Sequence, residues 1–172
     1  MASLQWDMSH AVFVTEIDDD HKEIFEALSD LPAVLSGTCE PSQLRKATQR
    51  LTTRIVEHFA HEERLMLAAR YDSLKWHKRQ HDNARRWVVQ LVARIESGDA
   101  AAGPELVERL TSWLHEHTRL ADMMMGAFLR NHRRVGKLTI WAGTKPADAC
   151  EWVDATGEKL RGLPVSKTRT CC

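Results

Sequence analysis

Apolar side chains recur every three or four positions along most of this chain, the period of a helix with one buried face. Ile24, Phe25, Leu28, Leu31 and Leu35 form a first stripe. It predicts a helix over about 19–36, opened by Asp18-Asp19-Asp20, because acidic residues suit a helix start, and stopped by Ser36-Gly37. Leu44, Leu51, Ile55 and Leu65 predict a second helix from Pro41 to about Ala69. Leu74, Ala84, Val88, Leu91 and Ile95 place a third over about 73–97. Leu106, Leu110, Trp113, Ala121, Met124 and Phe128 place a fourth from Gly103-Pro104 to about Arg130. Four such helices with short connections predict an all-α, up-down-up-down antiparallel four-helix bundle.

Residues 1–17, carrying Trp6, Val12, Phe13, Val14 and Ile17, read as an N-terminal arm laid over an end or side of the core. After Arg134 the helical stripe stops. The expected division is a bundle domain over 1–134 and a partly irregular, non-bundle C-terminal extension over 135–172, with a short strand at about 138–142.

Polar residues interrupt every stripe. His21 stands near the start of the first helix, His58 and Glu62 near the end of the second, His77 and His81 near the start of the third, and His117 in the second half of the fourth. Residues at i and i+4 share a helix face, so His58 and Glu62 point together, as do His77 and His81. In an antiparallel bundle these positions lie at one end, so the side chains converge in depth as well as direction. A buried carboxylate needs compensation, and histidines gathered around one indicate a metal. Asp122 is a further candidate that spacing does not select, since it follows His117 by five residues, about 140° around an α-helix.

The remaining histidines invite blander readings. His10 falls in the arm, His61 and His115 on polar faces, and His132 at a helix end, while Glu63 reads as solvated. Met123-Met124-Met125 reads as core packing, and Trp113 as packing that walls the metal site.

Charge and cysteine content narrow the partners. Lys and Arg number 24, as do Asp and Glu, which offers no electrostatic reason to bind nucleic acid or an anionic membrane. No apolar run approaches the ~18–20 residues of a membrane span. The N-terminus lacks the basic start and apolar core of a secretory signal, so a cytoplasmic location is expected. Cys39, Cys150, Cys171 and Cys172 contain no Cys-x-x-Cys pair and suggest no disulfide framework. The terminal Cys171-Cys172 reads either as a superficial likeness to a prenylation signal or as a redox-active thiol pair.

The motifs Asp18-Asp19-Asp20-His21, His58-Phe59-x-x-Glu62-Glu63-x-x-Met66, His77-x-x-x-His81 and Trp113-Leu114-x-x-His117-x-x-x-x-Asp122 together resemble those of bacterial hemerythrins, over about residues 1–132. The resemblance implies two iron ions bridged by an oxo or hydroxo group. His77, His81 and His117 would hold one iron, His21 and His58 the other, and Glu62 and Asp122 would bridge them. The uneven histidine split implies an open position on the His21/His58 iron. Ile24, Phe25, Ile55 and Leu114 lie one helical turn from these ligands and would form an apolar oxygen pocket. Reversible dioxygen binding for transport, storage or delivery is the expected function, without enzymatic turnover. Two alternatives use the same site: an oxygen or redox sensor that engages a protein partner through the extension, and an enzyme acting on peroxide or nitric oxide.

Overall fold

The computed structural model describes residues 5–36 and 40–134. A single 3-10 turn, Met8–His10, is capped by Asp7, whose side chain accepts from Ser9 N (2.7 Å). The helices are α1 (Thr15–Ser36), α2 (Pro41–Ala69), α3 (Leu74–Glu96), α4 (Ala102–His117) and α5 (Met123–Arg134), the last two joined by a π-helical turn, Thr118–Asp122. The rod from α4 to α5 is the fourth helix of the bundle. α1 packs on α2, α2 on α3, α3 on α4 and α4 on α1, closing the ring. Among the described residues there is no strand. No described helix is long and apolar enough to cross a membrane.

Two boundaries differ from the sequence reading. α1 starts before the acidic triplet, with Val14 O accepting from both Ile17 N and Asp18 N (2.9 Å each). The three aspartates therefore do separate things. Asp18 accepts from Val12 N (2.7 Å) and ties the arm to the helix. Asp19 pairs with Lys22 at the surface, and Asp20 is buried. The second difference is the π-helical turn. It admits one extra residue, so the buried stripe beyond it falls on Met125 and Leu129, while Met124, expected inside, is 49% exposed. A strict 3.6-residue period carried through this turn slips by one position.

The core has two apolar parts. The larger gathers Ile24, Phe25, Leu28, Leu51, Ile55, Val88, Leu91, Leu106, Leu110 and Leu114 among others. The smaller gathers Val12, Val14 and Ile17 of the arm and start of α1 with Leu65, Met66, Tyr71, Met125 and Leu129. The arm thus seals one end of the bundle. It comes so close to α5 that a Cβ on Gly126 would sit 2.6 Å from Val12 O, so only glycine fits there. Arg130 donates to the same carbonyl. At the corner after α2, Arg70 adopts a left-handed conformation (φ 54°) and Tyr71 N donates to Met66 O (2.9 Å), ending the helix.

All four cysteines, the extension over 135–172 and the strand expected at 138–142 lie outside the described residues.

Candidate metal centre

Between the two apolar parts lies a single polar layer. His21 separates Ile17 from Ile24 on α1, and His58 and Glu62 separate Ile55 from Leu65 on α2. His77 and His81 precede Ala84 on α3, and His117 and Asp122 separate Leu114 from Met125 on the fourth rod. All seven side chains are buried. The turn that displaces Met124 is also what brings in Asp122. A π-helical turn pairs i with i+5, so Asp122 falls under His117 instead of on the flank where α-helical spacing puts it.

The carboxylates sit at the middle of the layer. Asp122 Oδ1 lies 3.1 Å from both His77 Nε2 and His117 Nε2, while its other oxygen, Oδ2, lies 3.2 Å from His21 Nε2. Glu62 Oε2 lies 3.2 Å from His77 Nε2 and from His81 Nε2, and 3.9 Å from His58 Nε2. Donor atoms within 4.8 Å of one another form two overlapping sets: Glu62, His77, His81, His117 and Asp122, and His21, His58, Glu62 and Asp122. Both carboxylates belong to both sets. His21 Nε2, His81 Nε2, His117 Nε2, Glu62 Oε1 and both oxygens of Asp122 are buried without a hydrogen-bond partner. Burying so many unsatisfied donors and acceptors is costly, and cations placed between them would satisfy them. The residues fit a metal centre.

The electrostatics agree. Burial and the neighbouring Asp122 push the Glu62 carboxyl up, but His58, His77 and His81 outweigh them and hold it well below its ordinary value. Asp122 is likewise held low against burial, by His117, His21 and His77. Burial alone would lower His77, yet the carboxylates of Asp122 and Glu62, 3.1 and 3.2 Å from its Nε2, raise it to about 10. His58, dominated by burial, falls to about 3. Burial alone would lower His21 as well, yet Asp122 and Glu62 raise it.

Around the layer stand residues that the spacing did not select. Glu63, expected in solvent, accepts from His81 Nδ1–H (3.2 Å) and from Arg85 (2.7 Å), and its carboxyl is held down to about 2 by these partners against partial burial. That bond fixes the His81 ring so that Nε2 faces inward. His61 is half-buried and its Nδ1 lies 2.6 Å from Asp20 Oδ2, which stands 4.0 Å from His58 Nδ1. Phe59 stacks on His81 (4.0 Å between centroids, 9° between planes), and Trp113 on His117 (4.2 Å, 17°). His10 is buried against Phe25 (4.7 Å), with Nε2 lying 2.5 Å from His115 Nδ1, so neither of these two histidines stands on a free polar face. The sequence signal for Glu63 and Asp20 was their adjacency to Glu62 and His21 within the motifs that carry the resemblance. Nothing local pointed to the His10–His115 pair, which is separated by 105 positions.

The Hemerythrin HHE cation binding domain matches residues 12–129. A bacteriohemerythrin of Pseudomonas aeruginosa (strain LESB58) is 32% identical over 122 residues, covering 71% of this chain and 78% of that protein. A bacteriohemerythrin of Stenotrophomonas maltophilia (strain R551-3) is 30% identical over 150 residues, covering 80% of this chain and 94% of its own. A myohemerythrin of Theromyzon tessulatum is 27% identical over 118 residues, covering 69% and 87%. A solved structure of a leucine-to-phenylalanine mutant superposes with a TM-score of 0.68 at 25% identity, covering 75% of this chain and 98% of that one. The chain belongs to the hemerythrin HHE cation-binding family.

Proposed function

We propose that this chain binds dioxygen reversibly at a di-iron centre. In this reading His77, His81 and His117 hold one iron, His21 and His58 hold the other, and Glu62 and Asp122 are shared. The observation that carries it is the pair of carboxylates common to a five-donor and a four-donor set. When bound, a ferrous pair supplies a position able to take up dioxygen and give it back. The four-donor set is one histidine poorer, which supports that position lying beside His21 and His58.

The side chains near that half suit binding without turnover. Ile24, Phe25, Ile55 and Leu114 belong to the larger apolar part of the core, and each is at most 1% exposed. They exclude water and offer no proton donor. Thr118 donates its hydroxyl to Leu114 O (2.8 Å) and is spent there. A dry, proton-poor wall favours release of dioxygen intact over its reduction, which supports a transport, storage or delivery role over enzymatic turnover of peroxide or nitric oxide. We also propose that residues 1–134 suffice for this binding and that 135–172 serve a separate purpose.

The deciding experiment is metal analysis of the purified full chain, with absorption spectra after anaerobic reduction, after air, and after oxygen removal. The expected result is two irons per chain and a visible band that forms in air and fades when oxygen is withdrawn. Zinc in place of iron, or no oxygen-dependent band, overturns the reading. Truncation after Arg134 is expected to leave the band intact; if dioxygen response depends on 135–172, the sensor reading gains instead.

A further inference from the structure

Trp113 has two neighbours of different kinds. One face of its indole stacks on the His117 ring, and an edge meets Phe59 (5.5 Å, 68°). The half-buried remainder lines a surface groove of ≈ 450 Å³ between α3 and α4, together with Trp87, Glu105, Glu108, Arg109 and Glu116. The ring is therefore both part of the protein surface and in van der Waals contact with the centre's outermost histidine.

The charge around the groove is uneven. Arg94 pairs with Glu105 (2.7 Å) and also with Asp99, and Arg109 lies over Trp87 (4.6 Å). Glu108 and Glu116 stand exposed on α4 on either side of Trp113, about two turns apart. With Glu105 paired to Arg94, the lining still sets Glu108 and Glu116 against Arg109, so a basic surface would be attracted to the spot where the indole emerges.

We propose that this groove is the docking site for a one-electron protein reductant with a basic face, and that Trp113 conducts electrons from it to the centre held by His117. The proposal rests on the di-iron reading, because a carrier that needs ferrous iron must be restored whenever it is oxidised. Each encounter moves one electron: the reductant is oxidised by one unit and the centre is reduced by one, so two encounters restore a fully oxidised pair. Trp113 forms and breaks no bond. Its role is contact, with one ring in the groove and a stacked path inward.

Zinc-substituted cytochrome c is a suitable probe, being a basic protein whose light-excited state is a strong one-electron reductant. Docking is measured first, on the full chain without metal, by calorimetry and by the indole NMR signals of Trp87 and Trp113. Binding is expected to weaken with salt and to fall about tenfold in E108K/E116K. Electron transfer is then followed in the iron-loaded chain by quenching of the excited probe. Trp113→Leu is expected to keep docking and slow transfer several-fold, with Trp113→Phe between it and the parent. Iron content is checked for each variant, so that a misfolded Leu variant is recognised and the Phe variant decides. Docking that ignores E108K/E116K, or transfer that ignores both Trp113 variants, overturns the proposal. An iron-loaded chain that docks and accepts electrons but gives no dioxygen response would overturn the proposed function and leave this inference standing.

Discussion

The two halves of the polar layer are held in different ways. On the side of His77, His81 and His117, two rings are backed by a stacked aromatic, and His81 is fixed by Glu63, itself gripped by Arg85. On the side of His21 and His58, the Nδ1 atoms of both rings are, like that of His77, buried without a hydrogen-bond partner, no ring is backed by a stacked aromatic, and Asp20, 4.0 Å from His58 Nδ1, is engaged with His61. The contrast teaches where rigidity is placed. One half is clamped and donor-rich, suited to anchoring a cation. The other is donor-poor and borders an apolar wall, suited to leaving room for a small ligand.

Removing a ligand from each half should break this comparison most visibly. His77→Ala deletes the one imidazole that faces both carboxylates, and is expected to abolish metal binding and the stability that metal contributes. His58→Ala should retain metal in the clamped half. Metal analysis and thermal unfolding with and without added iron would test both, and equal loss in the two variants would erase the asymmetry.

Acidity comes next. His77, raised to about 10, carries a proton at neutral pH in the metal-free chain, and a metal needs that lone pair. Loading must therefore expel a proton, so affinity should fall as pH falls, on the order of tenfold per pH unit for one displaced proton. Calorimetry in buffers of different ionisation enthalpy reads the proton release directly.

Neighbouring carboxylates should give a graded effect. Glu63→Gln weakens the support of His81 and is expected to cost about 10–100-fold in metal affinity. Asp20→Asn, acting on His58 from 4.0 Å, should cost less than Glu63→Gln. A reversal of that order would mean that the His58 side is the better supported half.

The gentlest change is expected at the π-helical turn. Deleting exposed Leu120 from the π-helical turn leaves a regular helix in which Met125 and Leu129 still face the core, since the turn holds one residue more than α-helical spacing requires. Circular dichroism and cooperativity of unfolding should change little. Asp122 would then follow His117 by four residues and keep the shared face, so metal affinity should fall by less than about tenfold. A larger loss would mean that the π-helical turn itself, beyond the shared face, aims that carboxylate.

Much of this protein was legible before any coordinates. The i, i+4 pairs His58/Glu62 and His77/His81 are local facts of helix geometry, and so are the stripes that hold His21 and His117. Antiparallel packing then fixes their common level, because helix length and loop length leave little choice. Other features depended on contacts between distant parts of the chain. The extra residue between His117 and Asp122 reads as a mismatch in sequence, and only the packed rod, seated against both apolar parts of the core, absorbs it as a π-helical turn. The same holds for Glu63, which looks solvated until α3 brings His81 and Arg85 to it, and for His10, buried only because the arm folds back onto Phe25 and His115. Periodicity tells which face of a helix is inside. What meets across the interior depends on how the helices rotate against one another, and that is settled by tertiary packing.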